Sequence, residues 1–162
     1  MKKIKSLITL FILLVLMDAC TGYKPIFSSS NLRFEIVDYS IEGDKKLGNQ
    51  IYSKLYTLSQ SNKNQEGIKS IYLTINVAKT KNPTSKDTAG KILEYRVDLN
   101  TKVVINNYLT NEKILDNNFI FSSSYKVQDQ YSETIKLENQ LVDNLINQTY
   151  QELFIKLSEN IL

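Results

Sequence analysis

A single cysteine, Cys20, follows Ala19 at the end of an apolar run from Leu7 to Met17, and Lys2, Lys3 and Lys5 precede that run. A basic start, a short apolar stretch and a small residue form the pattern of an export signal. The run is too short to span a bilayer, which takes about 20 residues. An exported chain with one thiol has no partner for an internal disulfide, so the thiol needs another chemistry. S-linked diacylglycerol, with cleavage leaving Cys20 as the new N-terminus, supplies it. The competing readings are an ordinary secretory signal with an incidental cysteine, and an uncleaved anchor. Met17 and Asp18 stand where a lipoprotein site usually has Leu or Val and then a small or hydroxyl residue, and Asp18 predicts slow processing. Thr21 occupies the position where an aspartate commonly signals inner-membrane retention, which points to the outer membrane. Each buried methylene contributes ~0.8 kcal/mol, so two or three acyl chains make a lasting anchor.

Little else in the chain could carry a reaction. There is no histidine, no Gly-rich phosphate loop and no Gly-x-Ser-x-Gly elbow. Carboxylates gather at Asp38, Glu42 and Asp44, and again at Asp129 and Glu133. The first group spans a strand end and turn, and the second a helix start, where acids suit the dipole. Both read as solvated or capping charges. The expectation is a protein that is not an enzyme, with no metal and no cofactor beyond the covalent lipid on Cys20. Removing Lys2, Lys3, Lys5 and Asp18 takes the 20 basic and 17 acidic side chains to 17 and 16. A mature chain this close to neutral has no basic stripe for nucleic acid, which is excluded as a partner.

The elements follow from periodicity. Residues 1–19 form the signal, residues 20–31 the lipidated N-terminus with a polar Ser-Ser-Ser-Asn tether, and residues 32–162 one domain. Leu32 to Ile41 reads as a strand whose apolar phase changes between Ile36 and Val37, the mark of a bulge or of burial on both faces. Gly43-Asp44 gives a turn and a helix cap. Leu47, Ile51, Leu55 and Leu58 then form a helical stripe. Ile71, Leu73, Ile75 and Val77 alternate as a half-buried strand. Residues 79–90, with Pro83 and Gly90, read as a loop or frayed hairpin end. Leu93, Tyr95, Val97, Leu99, Thr101, Val103 and Ile105 face one way on a long strand, and Glu94, Arg96, Asp98, Asn100, Lys102 and Asn106 the other, with only Val104 breaking the polar set. Leu115, Phe119, Phe121 and Tyr125 share a phase on a fourth strand after a turn near Asn111. From about Tyr131 to Ile161 the spacing returns to helical, with a continuous stripe from Leu141 to Ile161, in a helix long enough to reach beyond the sheet.

The predicted fold is therefore α+β, a two-layer sandwich of order β-α-β-β-β-α. Its four-stranded mixed sheet carries two helices on one face. The first crossover is right-handed and makes the first two strands parallel, and the other strands meander. The predicted core includes Tyr95, Val97, Leu99, Val103, Phe119, Phe121, Leu145, Leu153 and Leu157. The second sheet face is polar. It suits water, or equally the polar lumen of an outer-membrane barrel.

At this point the chain resembles the LPS-assembly lipoprotein family LptE, lipid-anchored partners of the outer-membrane barrel LptD. One branch begins its mature chain Cys-Gly-Phe-Arg-Pro-Leu-Tyr, and here Cys20-Thr21-Gly22-Tyr23-Lys24-Pro25-Ile26-Phe27 stands in that place. Ala89-Gly90-Lys91 leads into Tyr95-Arg96-Val97-Asp98-Leu99. Ser124-Tyr125 and Tyr131 precede a long helix ending near Ile155-Lys156-Leu157. The resemblance implies a protein at the periplasmic side of the outer membrane that helps an LptD-like barrel fold and occupies its lumen. It further implies contact with lipopolysaccharide, whose phosphates favour Lys and Arg donors. On that implication the candidate contact residues are Lys79, Lys81, Lys86, Lys91 and Arg96; solvated lysines are the plain alternative. A different class of activity also stays open, a periplasmic accessory lipoprotein of a lipid-transport ABC system. The N-terminal reading is checked by mass spectrometry of the mature protein, which should begin at an acylated Cys20. An unmodified thiol or cleavage elsewhere overturns it.

Overall fold

The computed structural model describes residues 32–60 and 67–161; the signal, Cys20 and the tether lie outside them. The chain runs β1 (Phe34–Gly43), α1 (Lys45–Gln60), β2 (Lys69–Lys86), β3 (Ile92–Asn107), β4 (Lys113–Lys126) and α2 (Tyr131–Ile161). One open sheet has the order β1-β2-β3-β4. β1 and β2 are parallel, and β2 to β4 form an antiparallel meander. This is the α+β sandwich that the periodicity predicts.

Register explains the core. Leu73 lies opposite Ile105 and Ile75 opposite Val103, while Ile105 meets Leu115 and Thr101 meets Phe119. Directly opposed residues share a face, so these rows put the odd-numbered apolar side chains from Ile71 to Val77, from Val97 to Ile105 and from Leu115 to Phe119 under the helices. Leu47, Ile51 and Leu55 of α1 and Leu145, Leu153 and Leu157 of α2 close over them in one buried cluster. Of the predicted core residues, Tyr95 and Phe121 are only half-buried, packed at its margin.

The phase change in β1 is a bulge between Ile36 and Asp38. The extra residue, Val37, is 45% exposed, and beyond it Tyr39 returns to the helix side, where it stacks on Tyr52 of α1 with ring centroids 4.0 Å apart. The β1–α1 turn requires glycine. Gly43 has φ +71°, and a Cβ there would run into the Val77 carbonyl oxygen. Asp44 follows as the helix cap, its Oδ1 accepting from Leu47 N at 3.1 Å.

Two expectations are corrected. Residues 79–86 are not loop: β2 continues to Lys86, and only then does the chain turn, with Gly90 at φ +83°. Pro83 is compatible with this because β1 ends opposite Val77. Beyond that point β2 has no neighbour on that side, and an edge strand tolerates a missing N–H. Nor does α2 extend beyond the sheet, since its buried residues run from Thr134 to Ile161. A strand of 18 residues at ~3.3 Å each outreaches a helix of 31 at ~1.5 Å each. The helix is long because the hairpin beneath it is long. Its far end is held by Lys69, whose Nζ donates to the Ile161 carbonyl at 2.8 Å, where a cation opposes the dipole.

Leu153 is fully buried; its replacement by Ala should destabilise the fold by ~2–5 kcal/mol in urea unfolding. Thr101 should behave oppositely. Its buried hydroxyl oxygen has no hydrogen-bond partner, so Thr101→Val is expected to raise stability by about 1 kcal/mol.

Candidate contact surface on the extended hairpin

The core phase of β2 does not stop at Val77. Residues 79 and 81 continue it, so Lys79 and Lys81 point to the helix side, opposite Leu99 and Val97 of β3, where β2 itself no longer supplies aliphatic side chains. There Lys81 Nζ meets Glu138 Oε2 of α2 at 2.6 Å, and Lys79 Nζ stands 3.8 Å from Oε1 of the same carboxylate. Tyr125 of β4 donates its hydroxyl to Glu138 Oε2 at 2.7 Å. The ammonium of Lys81 also lies 4.2 Å from the ring centre of Tyr95 and 5.4 Å from that of Tyr125. Cation–π attraction therefore adds to the ion pair. β2 and β4 thus meet the first half of α2 at one carboxylate, and Tyr95 of β3 lies against the Lys81 ammonium.

The environment shifts these groups in a consistent direction. Burial pulls Glu138 upward, but hydrogen bonds from Lys81 and Tyr125, with the charges of Lys81 and Lys79, hold it below the ordinary glutamate value of 4.5. Burial likewise works against the Lys81 cation. The hydrogen bond and charge of Glu138 outweigh it, and the lysine is raised above its ordinary value. Burial pushes Tyr125 up, which keeps its hydroxyl protonated and donating.

Arg96 lies on the opposite face of the sheet. Its Nε donates to Asp98 Oδ1 at 2.7 Å and its Nη2 to Ser122 Oγ at 3.0 Å. Further along that open face, Asp116 is paired with Lys113 at 2.7 Å and Lys102 at 3.8 Å. Asn76, Asn100 and Asn118 join Lys102 and Asp116 around a shallow depression of about 420 Å³. Lys86 and Lys91 are exposed and flank the hairpin turn, where Asp87 Oδ1 accepts from Ala89 N and Lys91 N.

The five candidate cations thus fall in three places. Lys79 and Lys81 are engaged under α2, Lys86 and Lys91 stand at the tip, and Arg96 belongs to the open face. The structure brings no two of these groups together. Sequence reasoning missed Glu138 and Tyr125 as the counterparts of Lys81. Strand phase was the available signal: 79 and 81 share parity with 71 to 77. Among the described residues no group of three or more His, Cys, Asp or Glu side chains is placed to hold a metal ion. No helix among them is long and apolar enough to cross a membrane. What the surface offers is hydrogen bonding and fixed charge.

The fold is similar to those of several solved proteins. An uncharacterized lipoprotein B from Nitrosomonas europaea is 14% identical, with a TM-score of 0.58 over 82% of this chain and 88% of that one. A minor lipoprotein from Acinetobacter baumannii is 14% identical, with a TM-score of 0.54 over 81% and 94%. The rare lipoprotein B from Shewanella oneidensis is 11% identical, with a TM-score of 0.53 over 75% and 94%. At such identities the likeness establishes a shared fold. No protein-family model matches the chain, and no curated protein matches its sequence.

Glu138 has its pKa depressed by folding, so its contribution is present above the unfolded value and disappears as pH falls through the folded one. Glu138→Gln should destabilise the protein by about 1–2 kcal/mol at pH 7, allowing for solvent screening. That gap should narrow steadily in urea unfolding as the pH is lowered below the ordinary glutamate value of 4.5. A pH-independent gap would mean that Glu138 acts through packing rather than charge.

Proposed function

We propose that this protein is an outer-membrane lipoprotein, held at the periplasmic side through lipid on Cys20, which assembles with an LptD-like β-barrel. It occupies the barrel lumen and so takes part in lipopolysaccharide transport to the cell surface. The observation that carries the reading is the fold likeness to lipoproteins B. It spans most of both chains and coincides with an N-terminus that reads independently as a lipoprotein signal. The resemblance of Cys20 to Phe27 to one LptE branch narrows it further.

The geometry supports this in kind. A barrel lumen is wet and polar, and the open sheet face presents Asn76, Asn100, Asn118, Ser122 and paired charges rather than an apolar surface. A lipid-tethered domain is held near its partner, which raises effective concentration without new contacts. Its role is to bind and occupy, not to catalyse, and it uses no cofactor apart from the lipid. For lipopolysaccharide phosphates the exposed donors Lys86 and Lys91 are the available pair, with Arg96 on the lumen-facing side. Lys79 and Lys81 serve the fold first.

Detergent solubilisation of native membranes, followed by capture of the tagged full-length protein, tests the reading. Recovery of an outer-membrane barrel of LptD type is expected. Recovery of inner-membrane transporter subunits instead would overturn it in favour of the ABC-system accessory.

A further inference from the structure

The two edges of the sheet are built differently. β1 carries Glu35, Asp38 and Glu42 along its length and the bulge at Val37, the devices that keep an edge from pairing with another chain. β4 has none of these across its middle. From Asn117 to Tyr125 it reads Asn-Asn-Phe-Ile-Phe-Ser-Ser-Ser-Tyr, without charge or proline, and Ile120 is 63% exposed.

Its backbone pairing is legible. Val127 N donates to Leu93 O at 2.9 Å, and the β3–β4 register runs unbroken from Glu94 opposite Lys126 to Ile105 opposite Leu115. Antiparallel pairs alternate between bonded and non-bonded. Odd-numbered residues of β4 therefore bond to β3. Asn118, Ile120, Ser122 and Ser124 turn their N–H and C=O groups outward, and such a row of donors and acceptors fits an extended backbone.

The second helix marks where that backbone would lie. α2 packs chiefly on β4 and much less on β3, so it sits over the edge strand. Its outer flank forms a groove of about 310 Å³ with Ser123 and Ser124, floored by Leu137 and Leu141 and rimmed by Asn144 and Gln148. Antiparallel pairing of two β4 edges would put both copies of α2 on one face, with strands about 4.8 Å apart where helices need about 8–10 Å. That crowding disfavours a second copy and favours a strand with no helix on that face.

We infer that the β4 edge is a β-augmentation site, which takes an extended segment of the barrel partner as a fifth strand beneath the flank of α2. Main-chain bonds would supply the grip, and small apolar side chains would enter the groove. This rests on the functional reading above.

The test replaces Ser124 with Pro in the full-length, lipidated protein. Position 124 does not donate to β3, so the fold should keep its circular dichroism and melting temperature. Ser123→Pro, whose N–H belongs to the β3 ladder, should unfold. Loss of an edge bond and the steric block should lower barrel recovery at least about tenfold. Undiminished recovery by Ser124→Pro overturns this inference alone. Absence of any barrel in the wild-type preparation refutes the functional reading and this inference with it. Should Ser124→Pro unfold, a photo-cross-linking residue at Asn144, on the rim of the groove, decides: an adduct with the barrel supports the site, and an adduct between two copies, or none, overturns it.

Discussion

Burial of α2 against one face of the meander is the interaction on which the remaining structure depends. Leu145, Leu153 and Leu157 of the helix and Val97, Leu99, Val103 and Ile105 of β3 belong to one cluster, and nearly all of it is closed to water. Side chains alternate across a strand, so committing the odd positions to the helices leaves the even positions to the other face. That face cannot be apolar without exposing a second hydrophobic surface. It is accordingly rich in asparagine, serine and ion pairs, with Ile120 as an exposed apolar exception. One packing choice sets the polarity of the whole molecule.

The same constraint accounts for the lysine cluster. Beyond Val77 the helix-facing positions of β2 continue, but Lys79 and Lys81 replace the aliphatic row. Long lysine stems cover apolar surface while the ammonium finds a partner, here Glu138 and the rings of Tyr95 and Tyr125. The hairpin is thereby fastened to the first half of α2 without extending the core to the tip. A carboxylate shared by two lysines and a tyrosine is also directional. It fixes the rotation of α2, and with it the flank that overhangs β4.

The proposed role, occupying space in a wet lumen, would call for this combination. The domain has a dry interior on one side, a wet and hydrogen-bonding surface on the other, and edges that differ in their readiness to pair. The guarded β1 edge and the plain β4 edge give the domain a direction. On the proposed reading a lipid tether would supply proximity, and this surface the fit.

The fold was legible in the sequence because its signals are local. Period-two alternation in Leu93 to Ile105, helical spacing in Leu47 to Leu58, and Gly43-Asp44 as a stop and cap each act within a few residues. The expected lipidation site rests on signals of the same local kind, a run, a small residue and a thiol in order, and lies outside the described residues. Even the β1 bulge announced itself as a change of phase. Pro83 and Gly90 misled, because the meaning of a proline depends on whether another strand lies beside it, and only the end of β1 decides that. The length of α2 relative to the sheet, and the pairing of Lys81 with Glu138 across 57 residues, were equally beyond local reading. Five cations close in sequence were divided among two faces and a tip. Parity and long-range packing, not composition, determine where a charge points.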